Sequence, residues 1–233
     1  MNVPRTDRPP RPESGDHEIS TPYEHSHVLD EEEVEDLKDR WRRKVRQARK
    51  QRSVRARAAG AQAVAELVVQ LPEVLAAHCV AAYAARPDEP ETAPLLDALA
   101  ARGVRVLLPL LSPGLRRDWA VYAGQDDLRE RAPGRPPEPS GPPLGEAALA
   151  DADVHLVPAL AVDTTGTRLG QGGGWYDRVL RGARPGTPVI AVTNADEVYD
   201  AATAPLPRAP HDLPVHAVVT PAGITWFHRP DAA

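Results

Sequence analysis

VHLVPALAVDTTGTRLGQGGGWYDRVL, residues 154–180, runs from an apolar stretch through a glycine-rich loop into a helical stretch. Val154–Val157 is an apolar run of strand length, and the apolar stretch after it ends near Val162. Trp175–Leu180 reads as the helix on the far side. Between them, glycine occupies five of the sixteen positions from Asp163 to Arg178: Gly166, Gly170, Gly172, Gly173 and Gly174. Strand, glycine loop and helix in that order form the unit from which α/β domains are built.

The same alternation extends in both directions. Upstream, Cys79–Tyr83 and Val104–Leu108 are apolar runs that read as buried strands, and Trp119–Tyr122 alternates as a short strand. Downstream, Pro188–Val192 and Ala217–Val219 complete the set. Helical spacing appears over Ala61–Leu71, through Val64, Leu67 and Val68, with Pro72 as the expected stop. It appears again over Thr92–Ala101, through Leu95, Leu96 and Leu99, closed by Arg102-Gly103. Residues 37–57, LKDRWRRKVRQARKQRSVRAR, hold 11 basic groups and one acidic group without Pro or Gly, which predicts a helix interrupted only near Gly60. Arg131–Pro143 is proline-rich and must be loop. The expected fold is a three-layer α/β/α domain with a mainly parallel sheet.

Charge divides the chain of 233 residues into two parts. Residues 1–36 carry a net charge of −8, five prolines and few bulky aliphatic side chains, the composition of a disordered acidic tail. Residues 37–233 stand at +3 and are long enough to bury a sizeable core. No run of about 18 apolar residues exists to span a membrane, and MNVPRTDRPPRPESGD lacks the apolar stretch of a secretory signal. Cys79 is the only cysteine, which excludes an intrachain disulfide and a multi-cysteine zinc site. A cytoplasmic protein is expected. The scarcity of lysine (Lys38, Lys44, Lys50) is a compositional skew from which no function follows.

Chemistry is expected at the glycine loop. Backbone N–H groups of such a loop, at a helix start, face an anion well, and Arg168 adds a guanidinium suited to phosphate. The loop is neither a Walker A motif nor a dinucleotide fingerprint, and a tight turn whose glycines serve only the backbone is the alternative. Asp177, in the first turn of the following helix, either holds Mg²⁺ against a bound phosphate or stabilises the helix dipole. Asp212, in Pro210-His211-Asp212-Leu213-Pro214, reads alone as a turn residue. The basic helix offers cations to nucleic acid phosphates or, more simply, a solvated face. Cys79, His78 and His155 read as structural, and no Ser-His-Asp or HExxH arrangement is visible.

Asp163–Arg178 resembles the signature loop of the 5-formyltetrahydrofolate cyclo-ligases (methenyltetrahydrofolate synthetases), D-x-x-G-x-R-L-G-x-G-x-G-[FYW]-Y-D. The resemblance extends in order over about residues 38–227: Arg42-x-x-Val45-Arg46 with Arg52, Glu89-Pro-Glu-Thr92, Val106–Pro109, Glu138-Pro139, Asp153–Pro158, His211-Asp212 and Thr220. It implies use of MgATP to convert 5-formyltetrahydrofolate into 5,10-methenyltetrahydrofolate, with ADP and phosphate released. The formyl oxygen would be phosphorylated, N10 would attack the activated carbon, and phosphate would leave.

The resemblance also implies residue roles. Arg42 and Arg46 would hold ATP phosphates, and Arg46 would also touch the folate. Arg168, Leu169, Gly170, Gln171, Gly172, Gly173, Gly174, Trp175 and Tyr176 would wrap the nucleotide, with Arg168, Trp175 and Tyr176 at the reacting atoms. Gln171 to Trp175 would line the folate site with Ala84, and Glu89 would bind the pterin through its N–H donors. Asp177 and Asp212 would bind Mg²⁺. Small-molecule substrates, no nucleic acid or membrane partner, and a monomer are expected. The chain departs from the family pattern at Arg42 (usually Lys), Gln171 (often Arg or aromatic), Val162 (often Phe) and His216 (usually Asp). A non-catalytic or altered-specificity folate- or nucleotide-binding relative is the competing reading, and a nucleic-acid-binding protein using residues 38–57 is a third.

Overall fold

The computed structural model describes residues 30–112 and 116–230; most of the expected acidic tail, residues 1–29, lies outside the described residues. The first helix, α1, spans Glu31–Lys50, so residues 31–36 belong to it rather than to a tail. Asp30 and Glu33 form a reciprocal capping box at its start, and the run Glu31–Glu33 sits where the helix dipole favours negative charge. The basic segment does not continue to Gly60. It breaks at residues 51–53, where the Ser53 hydroxyl caps α2 (Val54–Val68) by accepting from the Ala56 N–H. Gly60 lies inside α2, where a Cβ would stand 3.2 Å from the Pro221 ring. Pro72 opens a short helix α3 (Pro72–Leu75) instead of ending one, since proline at the first helical position loses no hydrogen bond.

The strands are β1 (Cys79–Ala81), β2 (Arg105–Ser112), β3 (Arg116–Val121), β4 (Val154–Pro158), β5 (Ala161–Asp163), β6 (Arg168–Leu169), β7 (Val189–Val192), β8 (Val198–Tyr199), β9 (Ala217–Thr220) and β10 (Gly223–Trp226). Two more helices, α4 (Ala93–Ala101) and α5 (Trp175–Val179), complete the elements used below. A seven-stranded sheet runs β10-β9-β7-β4-β1-β2-β3. Its five central strands are parallel, and β10 and β3 are antiparallel edges. The small strands β6-β5-β8 form a second sheet.

Period-two alternation splits the central strands between two faces. Val80, Val106, Leu108, Leu156, Ile190 and Val219 join Val64 and Val68 of α2 and the Leu95, Leu96 and Leu99 stripe of α4 on one side. Ala81, Leu107 and Trp119 meet Ala148, Leu149 and Val179 on the other, where Val157, Ala191 and Val218 pack on Leu180. Covered on both faces, the parallel strands are largely apolar, with His155 buried in β4 as an exception, which is why they stand out in the sequence as short hydrophobic runs.

The order of the parallel strands reverses direction between β1 and β4. Ligands of open α/β sheets bind outside the carboxyl ends of the strands at such a switch point. Several side chains fix helix α1 across that end, and Arg49 makes the most bonds among them. Arg49, 4 % exposed, donates to both oxygens of the buried Glu197 carboxylate at 2.8 and 2.7 Å. It also donates to the Ala159 carbonyl just past β4, at 2.7 Å, and to the Asp88 carbonyl, at 3.1 Å. Glu197 in turn accepts from the Thr193 hydroxyl at 2.5 Å and the Asn194 N–H at 2.9 Å, just past β7. Burial opposes the Glu197 charge, but the Arg49 bonds outweigh it and hold the carboxyl below its ordinary value.

Glu197→Ala is therefore expected to cost about 3–5 kcal/mol, because it leaves the Arg49 guanidinium buried without its anion. The pair also sets an acid limit. A carboxyl lowered on folding stabilises fully above its unfolded value near 4.5, and the contribution disappears as pH falls through the lower folded value. Urea midpoints measured from pH 6 to pH 3 should fall more steeply for the wild type than for Glu197→Ala.

Candidate active site

A cleft of about 410 Å³ opens at the carboxyl ends of β1 and β4. Tyr83 and Ala84 leave β1 along one side, Pro158–Leu160 leave β4 along its floor, and the loop Arg168–Asp177 crosses it. Of the residues expected at a site, Arg42, Ala84, Glu89, Arg168, Leu169, Gly170, Gln171, Gly172, Gly173, Gly174, Trp175, Tyr176, Asp177 and Asp212 all line this one cleft. Arg46 is not among the lining residues; its guanidinium is turned to Gln171.

One face of α1 forms a wall. Its buried stripe is Val34, Lys38, Arg42, Val45 and Arg49, at helical spacing, so three cations stand where a helix ordinarily places apolar side chains. Val45 supplies the apolar seat, packing with Leu160, Ala161, Leu169 and Leu206. Arg42 donates through Nε to the Gly170 carbonyl at 3.1 Å and through Nη1 to Glu35 and Asp39 at 2.6 and 2.7 Å. Lys38 points its Nζ at Asp212 Oδ2, 2.5 Å away, with its side chain 7 % exposed. Sequence reasoning misses Lys38, although its position four residues before Arg42 places both on the same helix face.

The loop is held from beneath by Asp163. Its Oδ1 accepts from the Thr165 and Thr167 N–H groups and its Oδ2 from the Leu206 N–H, closing the β5–β6 turn. Gly166 has φ +82° in that turn, and a Cβ would stand 2.5 Å from the Val215 carbonyl oxygen. Gly172, at φ +104°, lies against the Arg42 guanidinium, 3.3 Å from where its Cβ would be. The glycines thus serve two purposes, turn geometry at Gly166 and close approach of a cation at Gly172. Past the loop, Trp175 packs edge-on against Trp119 and Tyr176, at 5.2 and 4.8 Å between centroids. Burial first, then the nearby Glu89 charge, raises the Tyr176 phenol far above its ordinary value, so it stays protonated.

Beside the C-terminal half of α1, where Arg49 bonds the Asp88 carbonyl, Glu89 is 8 % exposed. Its Oε2 accepts from the Arg86 N–H at 3.0 Å and its Oε1 from the Gln171 side-chain amide at 2.9 Å. Thr92 pins this segment, donating to the Tyr83 carbonyl at 2.8 Å and accepting from the Ala85 N–H at 3.2 Å. Arg135–Glu138, from the proline-rich loop, also line the cleft, as does Arg86. Glu138 belongs to the Glu138-Pro139 pair of the resemblance, though no site role is expected of it; Arg86 and Arg135 carry no local pattern, and only the fold brings them there. Of the departures, Val162 is buried core, and His216 accepts the Val189 N–H on Nδ1 and lies 4.9 Å from the His228 ring. Neither residue lines the cleft.

Asp177 and Asp212 are adjacent, since the Leu213 N–H reaches Asp177 Oδ1 at 3.3 Å. Each carboxylate is engaged by a cation through one oxygen: Asp177 by Arg168 at 2.8 Å and Asp212 by Lys38. Among the described residues no group of three or more His, Cys, Asp or Glu is placed to hold a metal. Two carboxylates on a cleft wall match a Mg²⁺ that draws its other ligands from phosphate and water. They do not make an all-protein cage.

The model of the 5-formyltetrahydrofolate cyclo-ligase family matches residues 34–221. A 5-formyltetrahydrofolate cyclo-ligase of Mycolicibacterium smegmatis is 39% identical over 158 residues, covering 63% of this chain and 75% of that protein. The Escherichia coli K12 protein of that name is 31% identical over 166 residues, covering 70% of this chain and 88% of that protein. Among solved structures, the Aquifex aeolicus 5,10-methenyltetrahydrofolate synthetase superposes with a TM-score of 0.69 at 26% identity, covering 84% of this chain and 96% of that one.

The Lys38–Asp212 pair is testable without ligands. Lys38→Met leaves a nearly buried carboxylate without its cation and should cost about 1–3 kcal/mol in urea unfolding. Lys38→Met combined with Asp212→Asn should recover most of that loss, giving a double-mutant coupling well outside additivity.

Proposed function

The chain belongs to the 5-formyltetrahydrofolate cyclo-ligase family, and from that premise we propose that it converts 5-formyltetrahydrofolate and MgATP into 5,10-methenyltetrahydrofolate, ADP and phosphate. One observation carries the reading. A carboxylate suited to the N–H donors of a pterin, Glu89, and guanidinium groups suited to phosphates, Arg42 and Arg168, face a single cleft with the glycine-rich loop between them.

The N5 formamide is unreactive and its oxygen leaves poorly. In the proposed reaction that oxygen attacks the γ-phosphorus, the bridging P–O bond breaks, and ADP leaves with the electron pair. N10 then attacks the formyl carbon, the C–O bond breaks, and phosphate departs, taking up the N10 proton. Glu89 holds the pterin so that the formyl oxygen faces the nucleotide, and Ala84 leaves room for the ring. Arg42 and Arg168 bind phosphoryl oxygens, and Arg46 stands behind the loop at the same end. Tyr176, held as a neutral phenol, donates a hydrogen bond without setting a negative charge against the phosphates. Trp175, braced by Trp119, walls the reacting atoms from water. Magnesium, when bound, neutralises charge on the nucleotide phosphates, and Asp177 and Asp212 are the residues that would hold it. Positioning and charge neutralisation are most of what such a transfer requires of a protein. Small-molecule substrates and a cytoplasmic site of action belong to this proposal; among the described residues no helix is long and apolar enough to cross a membrane.

The test is to mix the protein with 5-formyltetrahydrofolate and MgATP and follow the near-UV absorbance of the methenyl product. Turnover is expected; binding without turnover would favour a non-catalytic relative. Glu89→Gln should raise the folate KM about tenfold or more while leaving the ATP KM nearly unchanged, because a charged hydrogen-bond partner is lost. Asp177→Asn should collapse kcat and raise the Mg²⁺ concentration needed for half-maximal rate. Turnover within about threefold of wild type at limiting Mg²⁺ would show that Asp177 only steadies the helix start and Arg168.

A further inference from the structure

Gln171 is the only residue between Leu169 and Trp175 with a side chain, and that side chain is committed in two directions. Its amide N–H₂ donates to Glu89 Oε1 at 2.9 Å. Its amide oxygen accepts from Arg46 Nε and Nη2 at 3.3 and 2.9 Å, and its backbone carbonyl accepts from Nη2 at 3.0 Å. The Nε–Nη2 edge of Arg46, one of the two edges a guanidinium offers to a phosphate, is given wholly to this residue. The Glu89 oxygen it occupies is one that a pterin donor would need.

Resting on the proposed reading of the cleft, we propose that Gln171 is a latch coupling the two substrate sites: it competes with the pterin for Glu89, and a nucleotide that draws Arg46 onto its phosphates releases it.

The chemistry of the competition is direct. Gln171 presents to Glu89 the same kind of N–H donor that a pterin presents, so the two contend for the same lone pairs. Arg46 cannot give its Nε–Nη2 edge to a phosphate and to Gln171 together. Taking Arg46 away removes three of the bonds that hold the Gln171 side chain and carbonyl in place. Glycines on both sides, Gly170 and Gly172–Gly174, let the loop move without rearranging a core. Occupation of the phosphate subsite therefore raises folate affinity, and by linkage folate raises nucleotide affinity by the same factor. The amide can release both partners without stranding a charge.

Calorimetric titration of the full chain with 5-formyltetrahydrofolate tests this, with and without saturating Mg²⁺ and a non-hydrolysable β,γ-imido ATP analogue. The wild type should bind folate about five- to tenfold more tightly with the analogue, within the ordinary range of site coupling. Gln171→Ala and the length-preserving Gln171→Met should both bind folate without nucleotide about as tightly as the wild-type nucleotide complex does, and their coupling factor should fall to about one. Using two variants guards against a local folding defect in either. Coupling that persists in both variants would overturn the latch, as would folate binding that simply weakens in both while nucleotide affinity is unchanged. A wild type that binds both ligands independently would overturn the latch while leaving the site assignment standing; one that binds neither would overturn both.

Discussion

The position of α1 depends on the ion pair between Arg49 and Glu197. The inward stripe of that helix carries Lys38, Arg42 and Arg49 with only two buried apolar side chains, Val34 and Val45, and Trp41 beside it adds a half-buried contact with Tyr199. The pair is bidentate, nearly free of solvent, and tied into the ends of two neighbouring parallel strands through Ala159 and Thr193. A buried ion pair of this kind contributes little net stability over an apolar replacement, because desolvation offsets most of its attraction. Its effect is one of position: it fixes the register of α1 over the switch point, and the remaining stripe residues then fall at one edge of the cleft.

The other buried cations are paired as well. Each has an acidic partner: Lys38 with Asp212, Arg42 with Glu35 and Asp39, Arg168 with Asp177. An unpartnered charge at such depth costs several kcal/mol, on the order of 3–5 when one member of a buried pair is removed. The acidic residues Glu35 and Asp36, which composition alone assigns to a tail, are thereby part of the helix, and Glu35 helps to orient Arg42. Glu35 is half exposed, so its share is mainly orientation rather than stability.

Much of this architecture is legible in the sequence alone. The apolar runs read as strands because a parallel sheet covered on both faces admits little else, and the Leu95, Leu96 and Leu99 stripe reads as a buried helix face. The loop residues stand out because glycines cluster where a backbone must turn or admit a guanidinium. What is not legible has equally specific causes. The break at Ser53 carries neither Pro nor Gly, and a capping hydroxyl inside a basic run is easily passed over. Pro72 looks the same whether it stops one helix or starts another. Asp30 and Glu33 form a capping box that net charge conceals within an acidic run. The two-residue strands β6 and β8 are too short to show any period. Arg135 reaches the cleft from a proline-rich segment whose local sequence carries no sign of it.

The charge pairing bears on how a nucleotide is accommodated. Lys38 and Arg168 hold Asp212 and Asp177, and those four residues surround the place where phosphates and magnesium would lie under the proposed function. Phosphates would attract the two cations, and the two carboxylates so released would be the ones able to face a metal. On that reading each cation and each carboxylate would trade one partner for another. A cleft lined by cations alone would attract phosphate more strongly, but its cations would repel one another whenever phosphate was absent. Under the proposed function, pairing each cation in advance would moderate phosphate affinity and keep Asp177 and Asp212 oriented. The same logic, applied to a neutral amide instead of a charge, accounts for a residue such as Gln171 at the one point in the loop where a side chain meets both walls.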